Sequence, residues 1–207
     1  MGLPRPSLHV APPWVLDGEG IIIVYRFSRD WVESSSFLSQ IQKANYKGGL
    51  GYVMLVNYLH SPVGPYKELL LIPGKFSPHR RQTITKIFVD TDASTENGRY
   101  HWGIPKETQP INWTSEQNKD TIVVGDSSEP IFHCEVRNSG LTIPITTRLL
   151  PIRLHQVLCG VTYRTDRSGS GWAKLARIAM VHVDREIFPD ISLAKPLICL
   201  KVKPFPL

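Results

Sequence analysis

Two segments of this 207-residue chain place ionisable side chains among apolar and turn residues in an arrangement that could support catalysis. The first, SPVGPYKELLLIPG, covers residues 61–74, and the second, DTDASTENGRYHWGIPKE, covers residues 90–107. Each segment contains one side chain whose chemistry depends on its burial. These are Glu68 in the first segment and Lys106 in the second.

Glu68 lies in a stretch that is typical of a β-strand, and strand alternation places it on the same face as Leu70 and Ile72. Burial among apolar neighbours disfavours the charged form of a carboxyl group and would make Glu68 suitable for proton transfer. The alternative is a strand-edge glutamate that forms an ion pair with Lys67 or Lys75. Alternation alone leaves both interpretations open.

Lys106 follows Pro105, whose ring fixes the backbone immediately before the lysine. Trp102 and Ile104 supply apolar surface nearby. A desolvated lysine loses its proton near neutral pH and can attack a carbonyl carbon to form a Schiff base. The alternative is a solvent-exposed lysine in a loop, and these residues alone leave it open.

Motifs for other chemistries are missing from the sequence. Gly18 and Gly20 are not followed by the third glycine of a dinucleotide-binding loop, and no phosphate-binding G-x-x-x-x-G-K-[ST] motif occurs. The segment Gly169-Ser170-Gly171 does not fit the G-x-S-x-G nucleophile motif. The seven histidines include no H-x-x-x-H pair. We therefore expect no cofactor and no metal site.

Composition indicates one folded domain that spans residues 1–207, with an extended N-terminal arm over residues 1–15. Hydrophobic residues make up 42% of the chain and charged residues 20%, which is close to ordinary globular usage. The net charge is +6, but the basic residues are scattered along the chain rather than arranged in a stripe with aromatic residues. We therefore expect no nucleic-acid partner.

The apolar stretches and the cysteines indicate the expected cellular location of the protein. The longest apolar stretches are far shorter than the ~20 residues that span a membrane, and the N-terminus lacks the pattern of a secretory signal. The cysteines are odd in number and have no C-x-x-C spacing, so we expect buried free thiols at Cys134, Cys159 and Cys199. The resulting expectation is a cytoplasmic protein with no membrane partner, and homo-oligomerisation is left open.

Hydrophobic alternation and closely spaced turn residues predict a β-rich, mainly antiparallel α+β fold with few short helices. One helix is predicted to begin at Asp30, because Asp30 and Glu33 resemble a capping box and Trp31, Leu38 and Ile41 recur at helical spacing. The predicted strands cover residues 20–27, 51–60, 66–73, 82–90, 119–125, 130–137, 141–149, 154–164 and 172–184. The last two flank a flexible turn at residues 166–171 and are predicted to form a hairpin.

The two chemically distinctive segments are similar to the acetoacetate decarboxylase family. The stretch from Gly98-Arg99 to Pro105-Lys106 has the spacing of the family's G-R-x-x-x-x-x-P-K motif, which ends in the Schiff-base lysine. The run GPYKE at residues 64–68 resembles the segment in which a glycine and a tyrosine precede an active-site glutamate. The run IVYR at residues 23–26 resembles the family's early strand. The resemblance covers residues 16–107.

This resemblance implies a closed, cone-shaped β-sheet around an apolar cavity faced by Lys106, Glu68 and Arg99. Lys106 would be the imine-forming amine or a cationic hydrogen-bond donor, and Glu68 would transfer protons. Arg99 would hold a carboxylate or an enolate. The substrate-binding side chains would be Tyr66, Trp102 and Tyr100.

The sequence departs from the family pattern beside the lysine. In the decarboxylases a second lysine follows the first, whereas this chain has Glu107 in that place. A neighbouring anion favours the ammonium form of Lys106, so we expect Glu107→Lys to make Lys106 more reactive unless the two side chains diverge. The family's second cavity glutamate aligns near Val53, and its early arginine aligns near Gly18.

These features lead to one functional hypothesis and two alternatives. The first is an enzyme that acts on a keto or polyketide-like small molecule by decarboxylation, dehydration, aldol chemistry or cyclisation, with Lys106 as the imine-forming or cationic group. The second is a non-covalent cyclase or isomerase whose cavity folds the substrate. The third is a small-molecule binding protein without turnover, since a fold does not by itself confer chemistry.

Overall fold

Strands dominate the computed structural model, which describes residues 3–35, 37–146, 152–167 and 169–204. Strand accounts for 52% of the chain and helix for 12%, which confirms the predicted β-rich fold class. The strands are β1 (Asp17–Tyr25), β2 (Gly51–His60), β3 (Tyr66–Ile72), β4 (Lys75–Phe76), β5 (Arg81–Gln82), β6 (Lys86–Val89), β7 (Lys106–Thr108), β8 (Ile111–Glu116), β9 (Lys119–Gly125), β10 (Pro130–Thr146), β11 (Ile152–Leu158), β12 (Val161–Arg167), β13 (Ser170–Val183) and β14 (Ile198–Pro204).

Ten of these strands form one sheet and four form a second. The large sheet has the order β7-β6-β3-β2-β1-β14-β13-β10-β9-β8, and the small sheet has the order β12-β11-β5-β4. Neighbours in the large sheet are antiparallel except β6 and β7, which run parallel. A parallel pair needs a crossover connection, and here a helix between β6 and β7 supplies it.

The large sheet curls around a first hydrophobic core. Five strands separate β6 from β10 in the sheet, yet Phe88 of β6 and Phe132 of β10 both contact Phe188. Their ring centroids lie 5.9 and 5.7 Å from that of Phe188, and all three side chains are fully buried. Contact across so many strands requires strong curvature. The sheet is therefore a half-barrel with edge strands β7 and β8, where the resemblance implied a closed cone.

A second core lies on the other face of the same sheet. Alternation along β3 separates the two cores, because Leu69 and Leu71 belong to the first and Leu70 and Ile72 to the second. Ile152 and Leu154 of the small sheet also belong to the second core. This core is the one that positions the candidate site.

Three helices are described, α1 (Arg29–Ser34), α2 (Gln40–Asn45) and α3 (Asp92–Trp102). The helix predicted to begin at Asp30 starts within one residue of that position, but it ends at Ser34, and a second helix begins after a cap at Ser39. The Ser39 hydroxyl accepts a hydrogen bond from the Gln42 backbone N–H, and the Gln42 side chain accepts one from the Ser39 backbone N–H. Serine favours such caps over helix interiors, so the chain starts a new helix there. Among the described residues, no helix has the length and apolarity that crossing a membrane requires.

Two strand predictions near the C-terminus need correction. Residues 154–164 form two strands rather than one, because Cys159 and Gly160 both adopt positive φ and turn the chain between β11 and β12. Cys159 is consequently exposed, whereas Cys134 and Cys199 are buried as predicted. Strand β12 pairs with β11, and β13 pairs with β10 and β14, so residues 166–171 connect two sheets instead of closing a hairpin. Strand β10 continues through the predicted strand 141–149 to Thr146, and residues 147–149 lie outside the described residues.

Candidate active site

Helix α3 connects β6 to β7, and the turn at its end positions Lys106 at the start of β7. Its N-cap is Thr91, whose hydroxyl accepts a hydrogen bond from the Ser94 backbone N–H. Its C-cap is Gly103, which has φ 60° in the left-handed region. A Cβ at Gly103 would lie 2.2 Å from Cδ2 of Tyr163, so glycine is also required for the approach of β12. After this turn the chain enters β7 beside β6.

Lys106 and Glu68 meet across strand β6. Glu68 pairs with Val89 of β6, and Lys106 pairs with Ile87 of the same strand. The side chains point to the second-core face, where Lys106 Nζ lies 3.4 Å from Glu68 Oε2. Their exposed fractions are only 3% and 2%, so this ion pair is shielded from water. The ion pair with Lys67 or Lys75 proposed as the alternative for Glu68 is not formed, and Lys67 pairs with Asp90 instead.

Aromatic and hydroxyl groups surround the pair. Lys106 Nζ donates a hydrogen bond to Ser94 Oγ at 2.8 Å and lies 4.8 Å from the centroid of the buried Tyr66 ring. The Tyr58 hydroxyl donates to Glu68 Oε1 at 3.3 Å, and the Tyr58 and Tyr66 rings contact each other. Buried charged groups require such partners, because an unpaired charge in an apolar interior is costly.

Gly98 makes room for the aliphatic part of Lys106. A Cβ at Gly98 would lie 2.5 Å from Lys106 Cδ and 2.9 Å from its Cε. Real atoms do not approach so closely, so a larger residue would displace the lysine stem. This contact gives a physical reason for glycine eight residues before the lysine in the G-R-x-x-x-x-x-P-K stretch.

Glu107 lies on the opposite face of the sheet from Lys106. Consecutive residues of a strand alternate, and Glu107 pairs in register with Phe88 of the first core. Its carboxylate accepts a hydrogen bond from Lys86 Nζ at 2.7 Å and is 49% exposed. Glu107 is therefore turned away from Lys106 and already carries a cationic partner.

Arg99, Tyr100 and Trp102 lie in different places around α3. Arg99 is exposed on α3, so its expected place facing the same interior as Lys106 is wrong. One residue along a helix rotates the side chain by about 100°, and the buried positions Ser94 and Gly98 already take the inward face. Tyr100 and Trp102 are half-buried. Tyr100 contacts His9, whereas Trp102 contacts Trp14 and packs against the second core, so their substrate-binding role stays a prediction.

Residues 3–16, which include the described part of the N-terminal arm, pack against α3 and the second core. The buried Asn97 accepts a hydrogen bond from the Val10 backbone N–H at 3.0 Å and donates to the Leu8 carbonyl at 2.6 Å. Trp14 packs edge-on against Trp102 with centroids 4.7 Å apart. Val10 and Trp14 also pack against the second core, so the arm helps to close the region that holds Lys106.

Ser94, Asn97 and Tyr58 are site residues that sequence reasoning missed. Ser94, Asn97 and Gly98 have the i, i+3, i+4 spacing of one helix face, and this signal could have placed all three on the inward side of α3. No comparable signal exists for Tyr58, because its contact depends on the pairing of β2 with β3.

The arrangement provides an amine and a carboxyl group that can exchange a proton in a shielded environment. Both lie in an environment of reduced dielectric constant, where transfer of the proton from Lys106 to Glu68 removes two buried charges. Within the described residues, no group of three or more His, Cys, Asp or Glu side chains could hold a metal ion. The pocket lined by Lys201 and the shallow groove lined by Tyr46 include neither Lys106 nor Glu68.

Comparisons with known proteins identify the fold. No family model matches the sequence, and no curated protein sequence matches it. Solved structures do match. Acetoacetate decarboxylase from Legionella pneumophila has a TM-score of 0.64 at 14% identity, with 98% of this chain and 90% of that chain covered. The enduracididine biosynthesis enzyme MppR, solved in complex with pyruvate, has a TM-score of 0.63 at 14% identity, with 95% and 88% covered.

A third structure agrees with these two. An acetoacetate decarboxylase-like enzyme from Sphingomonas wittichii RW1 has a TM-score of 0.55 at 12% identity, with 91% of this chain and 88% of that chain covered. At these identities the likeness concerns the fold. The resemblance inferred from residues 16–107 is thus confirmed at that level, and the whole described chain has the fold of acetoacetate decarboxylase.

Proposed function

We propose that this protein is an enzyme that acts on a small keto compound, with Lys106 forming a Schiff base to the substrate carbonyl carbon and Glu68 transferring protons. The observation that carries the proposal is the buried contact of 3.4 Å between Lys106 Nζ and Glu68 Oε2. The fold supports it, because the similar structures are those of enzymes named as a decarboxylase and as a biosynthetic enzyme in complex with the keto acid pyruvate.

The first chemical steps can be written with these two groups. Proton transfer from the Lys106 ammonium to the Glu68 carboxylate gives a neutral amine and a carboxylic acid. The amine attacks the carbonyl carbon to form a carbinolamine, and Glu68 returns its proton to the hydroxyl group, which leaves as water. The product is an iminium ion on Lys106, and Glu68 is again a carboxylate.

The iminium ion determines which reactions can follow. It withdraws electrons from the neighbouring carbon, so a β-carboxylate can leave as carbon dioxide or an α-proton can pass to Glu68. The resulting enamine can take up a proton or attack a second carbonyl compound. Decarboxylation, dehydration and aldol chemistry therefore share the same intermediate, and the residues around Lys106 select among them.

The neighbours of the pair have positioning roles in this scheme. The Tyr58 hydroxyl holds one carboxylate oxygen of Glu68 and leaves the other facing Lys106. Ser94 accepts a hydrogen bond from the Lys106 ammonium and sets its direction. Because Lys106 is only 3% exposed, the substrate must displace part of the surrounding packing, and we expect the N-terminal arm, which forms no strand over its described residues, to move.

A second candidate function uses the same groups without a covalent bond. In a non-covalent cyclase or isomerase, Lys106 would stay an ammonium and donate a hydrogen bond to a developing enolate. The ion pair with Glu68 and the 2.8 Å hydrogen bond to Ser94 favour this charged form in the absence of substrate. The two candidates differ in whether a bond forms at Nζ.

Turnover of simple keto acids tests the proposal. We expect the protein to release carbon dioxide from acetoacetate or to exchange the methyl protons of pyruvate for deuterium. Lys106→Arg should abolish either reaction, and Glu68→Gln should lower its rate by roughly 100-fold. Lys86→Arg, which changes a lysine on the other sheet face, is the matched control and should keep full activity. Activity retained by Lys106→Arg would overturn the proposal.

A further inference from the structure

A second group of buried charges lies far from Lys106, on the first-core face of the large sheet. Lys201 of β14 pairs in register with Ile21, a residue of the first core, so the two side chains share a face. Lys201 is 5% exposed, and its Nζ contacts Asp120 Oδ1 at 2.8 Å and Glu19 Oε2 at 3.2 Å. The proposed function does not use these residues.

Asp120 is held by three donors. Its Oδ1 atom accepts hydrogen bonds from Lys201, from the Ser115 hydroxyl at 2.6 Å and from the Trp113 indole at 3.0 Å. Burial raises the pKa of Asp120, but the hydrogen bonds from Lys201, Ser115 and Trp113 prevail and the pKa is lowered overall. Lys201 Nζ also lies 4.7 Å from the centroid of the Trp113 ring. These side chains form the charged base, or floor, of a pocket.

A pocket of about 250 Å³ opens above this floor. Its walls come from β1, β8, β9, β10, β13 and β14, together with the turn before β9. This volume lies below the roughly 300–1,000 Å³ of sites for drug-sized ligands, so the occupant is a smaller molecule. The lining residues are Glu19, Ser115, Gln117, Lys119, Asp120, Asn138, Thr142, Trp172, Lys174, Lys201 and Lys203.

The lining carries more positive than negative charge. Four lysines face two carboxylates, and both carboxylates already contact Lys201. Lys203 Nζ lies 3.9 Å from Glu19 Oε2, which is the longest of the ion pairs around the pocket. Within the described part of the chain, no carboxylate lies within ion-pair distance of Lys174. Lys119 is also paired with Glu135, so the four lysines and the three carboxylates that contact them leave a net charge of about +1, carried by Lys174, at a concave surface, where electrostatic attraction is stronger than on an open one.

We propose that this pocket is a binding site for a small dianion, either a dicarboxylate or a phosphate group. Lys174 and Lys203 donate charge-assisted hydrogen bonds to it, the Trp172 ring provides an apolar wall, and the Lys201–Asp120 pair holds the floor in place. The site is independent of the Lys106 chemistry, because it lies on the other face of the sheet.

Titration with malonate and with inorganic phosphate, at constant ionic strength, tests this site and distinguishes the two sources of dianion. Binding is measured by isothermal titration calorimetry, with acetate as the monoanion for comparison. We expect saturable binding of at least one dianion, weaker binding of acetate, and about tenfold weaker dianion binding in Lys174→Gln and in Lys203→Gln. Lys195→Gln changes an exposed lysine outside the pocket and should bind as the unmodified protein does.

Two results would overturn the proposal. One is the absence of saturable binding of both dianions, and the other is equal affinity in Lys174→Gln, Lys203→Gln and Lys195→Gln. Because Lys203 is largely exposed and Lys174 is half-buried, their replacement should leave the fold intact, which circular dichroism checks. Lys106→Arg should bind the same dianion with unchanged affinity, so failure of the proposed catalytic function would not affect this result.

Discussion

Gly98 and Lys106 are in van der Waals contact across the α3–β7 connection, with the lysine stem lying where a Cβ of residue 98 would be. The helix backbone thus packs directly against the aliphatic stem of Lys106, whose amine contacts Glu68. A glycine in a helix usually lowers stability by about 1 kcal/mol relative to alanine. At position 98 the close contact with Lys106 makes glycine more favourable than alanine.

Gly98→Ala should therefore destabilise the protein and displace Lys106. We expect a loss of about 1–3 kcal/mol in the free energy of unfolding, because the added methyl group overpacks a buried site. Urea denaturation measures the loss. Gly169→Ala is the matched control, since a Cβ there meets no atom of the described residues within 4 Å, and it should change stability by less than about 0.5 kcal/mol. Equal stability of the two variants would show that the Lys106 stem does not need this space.

Glu107→Lys tests whether the neighbouring anion controls Lys106. The sequence alone predicted a more reactive amine in this variant, whereas the structure turns Glu107 to the other sheet face and pairs it with Lys86. We now expect coincident pH profiles for enaminone formation with a β-dicarbonyl probe, with a stability change of no more than about 1 kcal/mol from the lost ion pair. A faster reaction of Glu107→Lys at neutral pH would contradict this assignment.

The three thiols should differ sharply in their reactivity. Burial raises the pKa of Cys134 and of Cys199 to about 12, and the thiolate is the reactive form. Cys159 is exposed at the β11–β12 turn. Iodoacetamide should therefore label only Cys159 in the native protein, as read by peptide mass spectrometry. Cys159→Ser should remain unlabelled until denaturant is added, and rapid native labelling of Cys134 would be inconsistent with the first core.

Attachment of the N-terminal arm should weaken in acid. Burial, and then the neighbouring His9, lower the pKa of His101. The folded state thus binds this proton less readily than the unfolded state, so stability is retained above the ordinary histidine pKa of about 6.5 and falls as the pH drops below it. We expect faster proteolytic cleavage within residues 3–16 below about pH 6.5, and a smaller pH effect in His101→Gln. A pH-independent cleavage rate in both proteins would exclude this histidine as the cause.

Strand alternation placed Glu68 on the same face as Leu70 and Ile72, but its burial depends on β3 lying between two other strands, with a separate core on each face. Helix α3 was not predictable in the same way. Its buried positions are Ser94, Asn97 and Gly98, so it has no apolar stripe, and its inward face is made of small polar residues that fit around a lysine. Pattern reasoning identified the lysine but not the helix that surrounds it.

The other features could not be predicted from the sequence because they depend on contacts between segments that are far apart in the chain. Lys201 and Asp120 are 81 residues apart, and nothing in the alternation of β14 or β9 indicates that they pair. Arg99 was assigned a place in the interior by its motif alone, and the helix rotation that exposes it became visible only with α3. Local periodicity determines on which face of the sheet a side chain lies, whereas its interaction partner depends on the order of the strands.

Reductive trapping is the most direct test of the central claim that Lys106 forms a Schiff base. The protein is incubated with pyruvate or acetoacetate and sodium borohydride, and peptide mass spectrometry locates any reduced adduct. The account predicts one adduct, on Lys106, which is lost in Lys106→Arg and retained in Lys86→Arg. An unmodified Lys106, with adducts absent or spread over exposed lysines, would contradict the account and leave Lys106 as a cationic hydrogen-bond donor.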